Sequence, residues 1–230
     1  MRRVLAILAA GSATRAGVDK VLADLGGQPV LAWSLASAAA AGCFEGIFVV
    51  APKANLPRIT TVVRERAPDA RVIAGGATRT ASSWAALDAA EDADIIAIHD
   101  AARPFVPPSL FARCVEGAIA DGSAVAGLQV ADTVRRADEA GRTTEEVARD
   151  GLWSAQTPQA FRRELLARAR EAAGDRTFGD DAAALVAAGI NPKMIHGERR
   201  NLKITTLEDL GYARELVAKG LAGFPALQVR

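Results

Sequence analysis

The sequence predicts an α/β fold: a mostly parallel sheet with helices on both faces and a protruding β-hairpin arm. Three observations carry that prediction. Short apolar runs suited to strands buried on both faces recur along the chain. Helical patterns separate them, so successive parallel strands can be joined by right-handed crossovers. One polar stretch, residues 132–151, breaks the alternation and carries no apolar face of its own.

Each element has its own local reason. The first strand is expected at Val4–Ala9. Two arginines before an apolar run have the outline of a signal peptide, but the run soon enters a Gly- and Arg-bearing segment, as a buried strand would. Further strands are expected at Gly46–Ala51, Ala70–Ala74, Asp94–His99 and Ser123–Val130. Helices are expected between them, over Val30–Ala41, Leu56–Ala67, Thr80–Ala90 and Pro108–Ala120. In the polar stretch, a turn near Ala140–Gly141 lies between two short polar strands. An isolated hairpin is marginal in water, so such an arm is expected to pack on a partner such as a second subunit; a solvated loop is the alternative. Helices at Arg162–Ala173 and Asp180–Ala188, a short strand at Lys193–His196 and a helix over Leu207–Lys219 follow. Asp180 and Asp181 stand where a helix N-terminus favours negative charge. No repeat or low-complexity linker divides the chain, so residues 1–230 read as one Rossmann-like domain with its arm at about 132–152.

Composition narrows the function. The 230 residues are 50% hydrophobic, and 28 basic against 27 acidic side chains leave a formal charge of +1. That balance shows no basic patch of the kind a dedicated nucleic-acid binder carries. Cys43 and Cys114 have no zinc or disulfide spacing and read as small core residues. No stretch approaches the roughly 20 apolar residues of a membrane span, so a cytoplasmic protein is expected. Only five of the basic residues are lysines (20, 53, 193, 203 and 219), so each lysine inside a motif carries extra weight.

Four constellations bear chemistry. The first strand leads into LAAGSATRAGVDK (Leu8–Lys20), where Ala9, Ala10 and Gly11 permit close approach and Arg15 and Lys20 add mobile positive charge. Backbone N–H groups in such a strand–loop–helix can face a phosphate; an ordinary tight turn is equally compatible. The loop lacks GK[ST], and Ala13 replaces the second glycine of a dinucleotide fingerprint. In IAIHDAARPFV (Ile96–Val106), Asp100 falls at the carboxyl end of a central strand, where ligands of open α/β sheets bind. A carboxylate there suits Mg²⁺, which takes few protein ligands plus substrate phosphates; a helix cap paired with Arg103 is the alternative. His99 reads as a structural neighbour. GGATRTASSW (Gly75–Trp84) offers free backbone and a hydroxyl that could read a flat base, or simply a capped helix start. WSAQTPQAF (Trp153–Phe161) and RRNLKITTLEDL (Arg199–Leu210) complete the set.

Taken in order, LAAG…R…K, GG…S, HDAARP, GLW…TPQ and NLKIT make the chain resemble the 2-C-methyl-D-erythritol 4-phosphate cytidylyltransferases of non-mevalonate isoprenoid biosynthesis. The resemblance implies that Ala9, Ala10 and Gly11 lie against CTP, that Arg15 and Lys20 stabilise its phosphates, and that Gly76 and Ser82 read cytosine. It implies Mg²⁺ at Asp100, an acceptor near Asp100 and Arg103, and Lys203 bridging acceptor phosphate and α-phosphate. Thr133, Arg149 and Thr157 match positions that hold the acceptor, a sugar-alcohol phosphate, from across a homodimer interface. The chain departs from the pattern at Ala13, at Asp19, in a shortened Arg15–Lys20 loop and at Gly179.

Two rivals share the motifs in part. A ribitol-5-phosphate cytidylyltransferase of the same fold would make CDP-ribitol, and molybdenum-cofactor nucleotidyltransferases share only the first loop. An NAD-dependent oxidoreductase would need an acid closing strand two, where Ala51–Pro52–Lys53 stands. A non-catalytic nucleotide sensor would have no need of Arg15, Lys20, Asp100 and Lys203 together.

Overall fold

The protein is described from a computed structural model, which covers residues 1–9 and 19–222. The chain alternates β1 (Arg3–Leu8), α1 (Val30–Ala41), β2 (Gly46–Ala51), α2 (Leu56–Arg66), β3 (Arg71–Ala74), α3 (Arg79–Ala89), β4 (Ile95–Asp100), α4 (Pro108–Asp121) and β5 (Ser123–Gln129). After β6 (Val134–Ala137) and β7 (Thr143–Val147) come β8 (Trp153–Arg162), α5 (Arg163–Ala173), α6 (Asp181–Ala187), β9 (Met194–His196) and α7 (Leu207–Ala218).

Seven strands form one sheet in the order β3-β2-β1-β4-β8-β5-β9. All run parallel except β8, which pairs antiparallel with both β4 and β5. Strand parity builds the core. In β1, Leu5 and Ile7 face one way, against Leu31 and Leu35 of α1, Ile59 of α2 and Phe111 of α4. Val4, Ala6 and Leu8 face the other way, against Leu87 of α3, Leu166 of α5 and Leu185 of α6. A strand with both faces covered needs a continuous apolar run, which is why RVLAIL shows no polar alternation. A third cluster sets α7, through Leu210 and Ala213, on Trp33, Phe105 and Ile204.

The order of strands reverses beside β1. The chain adds β2 and β3 on one side and then places β4 on the other, so the carboxyl ends of β1 and β4 flank the crevice where open sheets bind ligands. Their register ends on Leu8 opposite Asp100.

β8 has no counterpart among the sequence-based expectations. Its ten residues include Ser154, Gln156, Thr157 and Gln159 as well as Pro158, so no apolar run marks it. Proline within a sheet belongs at an edge or a bulge. Here the β5–β8 register slips between Val125 and Gly127, and Pro158 lies in that irregular stretch.

The arm is present as expected. β6 and β7 form a two-stranded antiparallel sheet apart from the main one. Cross-strand pairs Arg136–Glu145 at 2.9 Å and Arg135–Glu146 at 3.3 Å line it. Asp138 closes the turn, its carboxylate accepting from the amides of Ala140 and Arg142, and Gly141 supplies the left-handed residue (φ 76°). Nearly every side chain of the arm is exposed.

Candidate active site

The site grows from the end of β4. Asp100 is its last residue, with its backbone already ordered by pairing to β1. The neighbouring ladder to β8 stops at Ile98–Gln159, and there Thr157 takes over. Its hydroxyl accepts from the Asp100 amide at 2.9 Å and meets His99 Nδ1 at 3.1 Å. His99 Nε2 faces the Arg103 carbonyl at 3.3 Å, and only an N–H can satisfy that oxygen. The imidazole is therefore the Nε2–H tautomer, and Thr157 donates its single proton to Nδ1. Burial pushes His99 down to about 4, with Arg103 adding to the effect. Neutral, enclosed and bonded at both nitrogens, it is a structural group, as expected.

The Asp100 carboxylate meets two cations. Oδ2 accepts from Lys203 Nζ at 2.7 Å, and Oδ1 from Arg79 Nε at 3.3 Å. Burial alone would raise the Asp100 pKa, but Arg79 and Lys203 outweigh it and hold the group well below the usual carboxylate range. Arg79 reaches on to Asp181, Nη2 to Oδ2 at 2.8 Å, in contact as an ion pair without hydrogen-bond alignment. Burial opposes the Arg79 charge, yet Asp181 and Asp100 together keep its pKa above the ordinary value.

Lys203 is delivered by a segment stitched to β8. Gln156 gives its Nε2–H to the Glu198 carbonyl at 3.0 Å, and its Oε1 accepts from the Glu198 amide and from Asn201 Nδ2, each at 3.2 Å. Asn201, fully buried, also donates to the Thr157 carbonyl at 2.8 Å and accepts Arg103 Nη1 on its own carbonyl at 2.7 Å. One residue beyond Lys203, the Ile204 amide bonds the Ala102 carbonyl at 2.8 Å. Lys20 enters from the other side, its ammonium donating to the Thr205 carbonyl. Thr205 is held in turn by Asp209, whose carboxylate accepts its amide at 2.7 Å and also closes the capping box of α7.

Lys20, Asp100, Arg103 and Lys203 are thus gathered at the carboxyl ends of β1 and β4. Arg15, Ala10 and Gly11 lie outside the described residues. Ala9 is buried at the end of β1, with its amide bonded to the Val50 carbonyl at 2.8 Å. Gly76 leads into α3 so closely that a Cβ there would meet Ala81 Cβ at 2.4 Å. Ser82 is fully buried and its hydroxyl donates to the Thr78 carbonyl at 2.9 Å, within the helix itself. Thr157, which the resemblance groups with Thr133 and Arg149, is separated from them: it belongs to β8 and its proton is committed to His99. Thr133 and Arg149 sit on the arm. Arg149 donates to the Ala131 carbonyl and lines a cavity of about 630 Å³ with Leu152, His196 and Arg199, a lining that does not include Asp100. Arg79, Gln156 and Asn201 are not among the candidate residues read from the sequence, although each lies in a quoted motif, and Asp181 is read there only as a charge suited to a helix N-terminus. A lone arginine among the small residues of GGATRTASSW was the available signal.

The family model for IspD, 2-C-methyl-D-erythritol 4-phosphate cytidylyltransferase, matches residues 4–219. The chain belongs to this family. It is 41% identical over 218 residues to the 2-C-methyl-D-erythritol 4-phosphate cytidylyltransferase of Deinococcus radiodurans, covering 94% of this chain and 89% of that one. It is 43% identical over 226 residues to a bifunctional enzyme IspD/IspF of Anaeromyxobacter sp., covering 96% of this chain but 58% of that protein. The chain thus spans little more than half the length of its bifunctional relatives. The crystal structure of the cytidylyltransferase from Thermus thermophilus superposes with a TM-score of 0.80 at 33% identity, covering 95% of this chain and 100% of that one. The cytidylyltransferase family is therefore the frame for the Lys203–Asp100–Arg79 cluster. Among the described residues, no helix is long and apolar enough to cross a membrane, and no group of three or more His, Cys, Asp or Glu could hold a metal by itself.

Proposed function

We propose that this chain transfers the cytidylyl group of CTP to 2-C-methyl-D-erythritol 4-phosphate, releasing pyrophosphate and forming 4-diphosphocytidyl-2-C-methyl-D-erythritol. The observation that carries this is the cationic end of β4: Lys203 on Asp100 at 2.7 Å, with Lys20 bonded to the carbonyl two residues farther on.

An acceptor phosphate oxygen attacks the α-phosphorus of CTP in line; the new P–O bond forms as the bond to the β-phosphate bridging oxygen breaks, and pyrophosphate departs. The nucleophile is already an anion, so no general base is required. His99 could not serve as one, since both ring nitrogens are engaged and the ring is sealed. The chain's task is alignment and positive charge for the equatorial and leaving oxygens. Lys20, Lys203 and, from the same family pattern, Arg15 have the chemistry for that task. Gly76 and Ala9 give close approach for the nucleoside.

Mg²⁺ fits this arrangement as a substrate-borne ion. Asp100 is a single carboxylate with lone pairs to spare beyond its two cationic contacts, so it can give one oxygen while the triphosphate gives the others. When bound, the metal supplies positive charge to the phosphate oxygens. The exposed arm, with Thr133 and Arg149 on it, is suited to complete the acceptor site of a second copy, making the working unit a homodimer.

Pyrophosphate release from CTP with Mg²⁺ tests the proposal, run with 2-C-methyl-D-erythritol 4-phosphate and with ribitol 5-phosphate. Turnover on the first acceptor is expected. Preference for ribitol 5-phosphate would give the CDP-ribitol activity instead, and CTP binding without turnover on either acceptor would leave a sensor. Lys203→Met is expected to lower turnover by roughly 10²–10³-fold, the usual loss of one preorganised charge. Its melting temperature should stay near wild type, because the side chain is 44% exposed.

A further inference from the structure

Four charges of alternating sign run through the site: Asp181, Arg79, Asp100, Lys203. Their side-chain exposures are 2%, 23%, 11% and 44%, so the two ends differ sharply. Asp181, in the first turn of α6, has Arg79 as its one ion-pair partner among the described residues. Removing that partner would leave an uncompensated buried charge, which proteins tolerate poorly. Arg79 is therefore fixed at its Asp181 end. Lys203 is the opposite case, a flexible four-carbon stem with its ammonium open to solvent and to any phosphate that arrives.

The consequence concerns how Lys203 can leave. If Asp100 had Lys203 as its sole counter-ion, a phosphate recruiting that ammonium would strip a nearly buried carboxylate of its partner. Arg79 prevents this, because its Nε stays on Oδ1 whether or not Lys203 stays on Oδ2. We propose that Arg79, anchored by Asp181, is a positioning residue for nucleotide binding: it neutralises and holds Asp100 so that Lys203 is free to exchange from that carboxylate to a phosphate. This rests on the cytidylyltransferase reading for the identity of the phosphate donor. Nothing in it requires Arg79 to touch substrate, and its effect should be transmitted only through Asp100.

That last condition makes it testable. Arg79→Gln alone strands the Asp181 charge and can unfold the site, so the informative variant is Arg79→Gln/Asp181→Asn, which removes both charges together. The probe is CTP with Mg²⁺, titrated calorimetrically into folded protein, with circular dichroism and melting curves as the fold check. With Asp100 present, the double variant is expected to bind CTP about tenfold more weakly, since Asp100 then retains Lys203, a coupling of ordinary size. In an Asp100→Asn background Lys203 is already released, so the same double change should alter CTP affinity by less than about twofold. Arg79→Lys, with Asp181 and Asp100 both left in place, should keep most of the affinity. Equal losses in both backgrounds would mean that Arg79 contacts the nucleotide or merely supports the fold, and would overturn the proposal. So would unchanged affinity in both. Wild-type turnover is measured in parallel. A wild type that shows the binding pattern but releases no pyrophosphate would sink the transferase activity alone, whereas an active wild type with equal losses would sink the positioning role alone. A wild type that binds no CTP would refute both.

Discussion

Thr157→Val tests whether the end of β4 is held by the network described above. The replacement keeps the branched shape and deletes the hydroxyl. Two buried groups then lose their partner: the Asp100 amide, 2.9 Å away, and His99 Nδ1, at 3.1 Å. Thr157 is 3% exposed and His99 is fully buried, so water has little access to either. Each orphaned polar group costs about 1–3 kcal/mol, while the added methyl returns about 1 kcal/mol. A net loss of about 1–5 kcal/mol follows, which for a chain of this size lowers the melting temperature by on the order of 10 °C. Thr157→Ser supplies the comparison. It keeps both hydrogen bonds, loses only a methyl group worth about 1 kcal/mol, and should melt within a few degrees of wild type. The assay is scanning calorimetry at neutral pH on all three proteins, with pyrophosphate release measured on the folded samples. If valine is as stable as serine, the hydroxyl is not the group that holds Asp100 and His99, and the assigned tautomer falls with it.

The remaining predictions address other joints of the same structure. Acid should weaken the fold through His99: its pKa in the native state is pushed from 6.5 to about 4, so the unfolded chain binds the extra proton first. The associated stability is fully present above pH 6.5, is lost progressively as pH falls towards 4, and amounts to about 3 kcal/mol; urea titrations on either side of pH 6.5 on wild type and His99→Asn should show the slope in wild type only. Gly76→Ala drives a methyl to within 2.4 Å of Ala81 Cβ in the first turn of α3, and overpacking of that kind costs about 1–3 kcal/mol; a lower melting temperature with weaker CTP binding is expected, and an unchanged protein would show that this loop has room to spare. Analytical ultracentrifugation of a chain lacking the 133–148 arm should give a monomer, if the arm is what joins two copies.

How much of this was legible in the sequence depended on whether a residue's neighbours were local. The strands of the parallel half announce themselves because burial on both faces demands unbroken apolar runs, and Val4–Leu8 and Ile95–Ile98 meet that demand. The arm was legible for the converse reason, being polar on both faces around a left-handed glycine. β8 was not. Its polar side chains are satisfied by groups far along the chain, 42 residues away for Gln156 with Glu198 and 58 for Thr157 with His99, and no periodicity records such partners. A proline in mid-strand lacks a ladder donor, and the register slip beside it is what accommodates it.

The same distinction separates the letters of the motifs into two kinds. Asp100 stood out as a carboxylate at a central strand end and Lys203 as a rare lysine whose role came from the family resemblance, and the structure pairs the two at 2.7 Å. Gln156, Thr157 and Asn201 sit in equally distinctive strings, yet their side chains are spent on one another, on backbone and on His99. They set where the β4 end and the Lys203 segment meet. Arg79 falls between the kinds, charged like a substrate contact but bound at both ends to carboxylates of its own chain. A sequence cannot distinguish a cation that meets a phosphate from one that holds the carboxylate next to it, because the two differ only in the partner's place in space. The Asp100→Asn comparison separates them, since a direct phosphate contact persists when that carboxylate is neutral and a positioning effect does not.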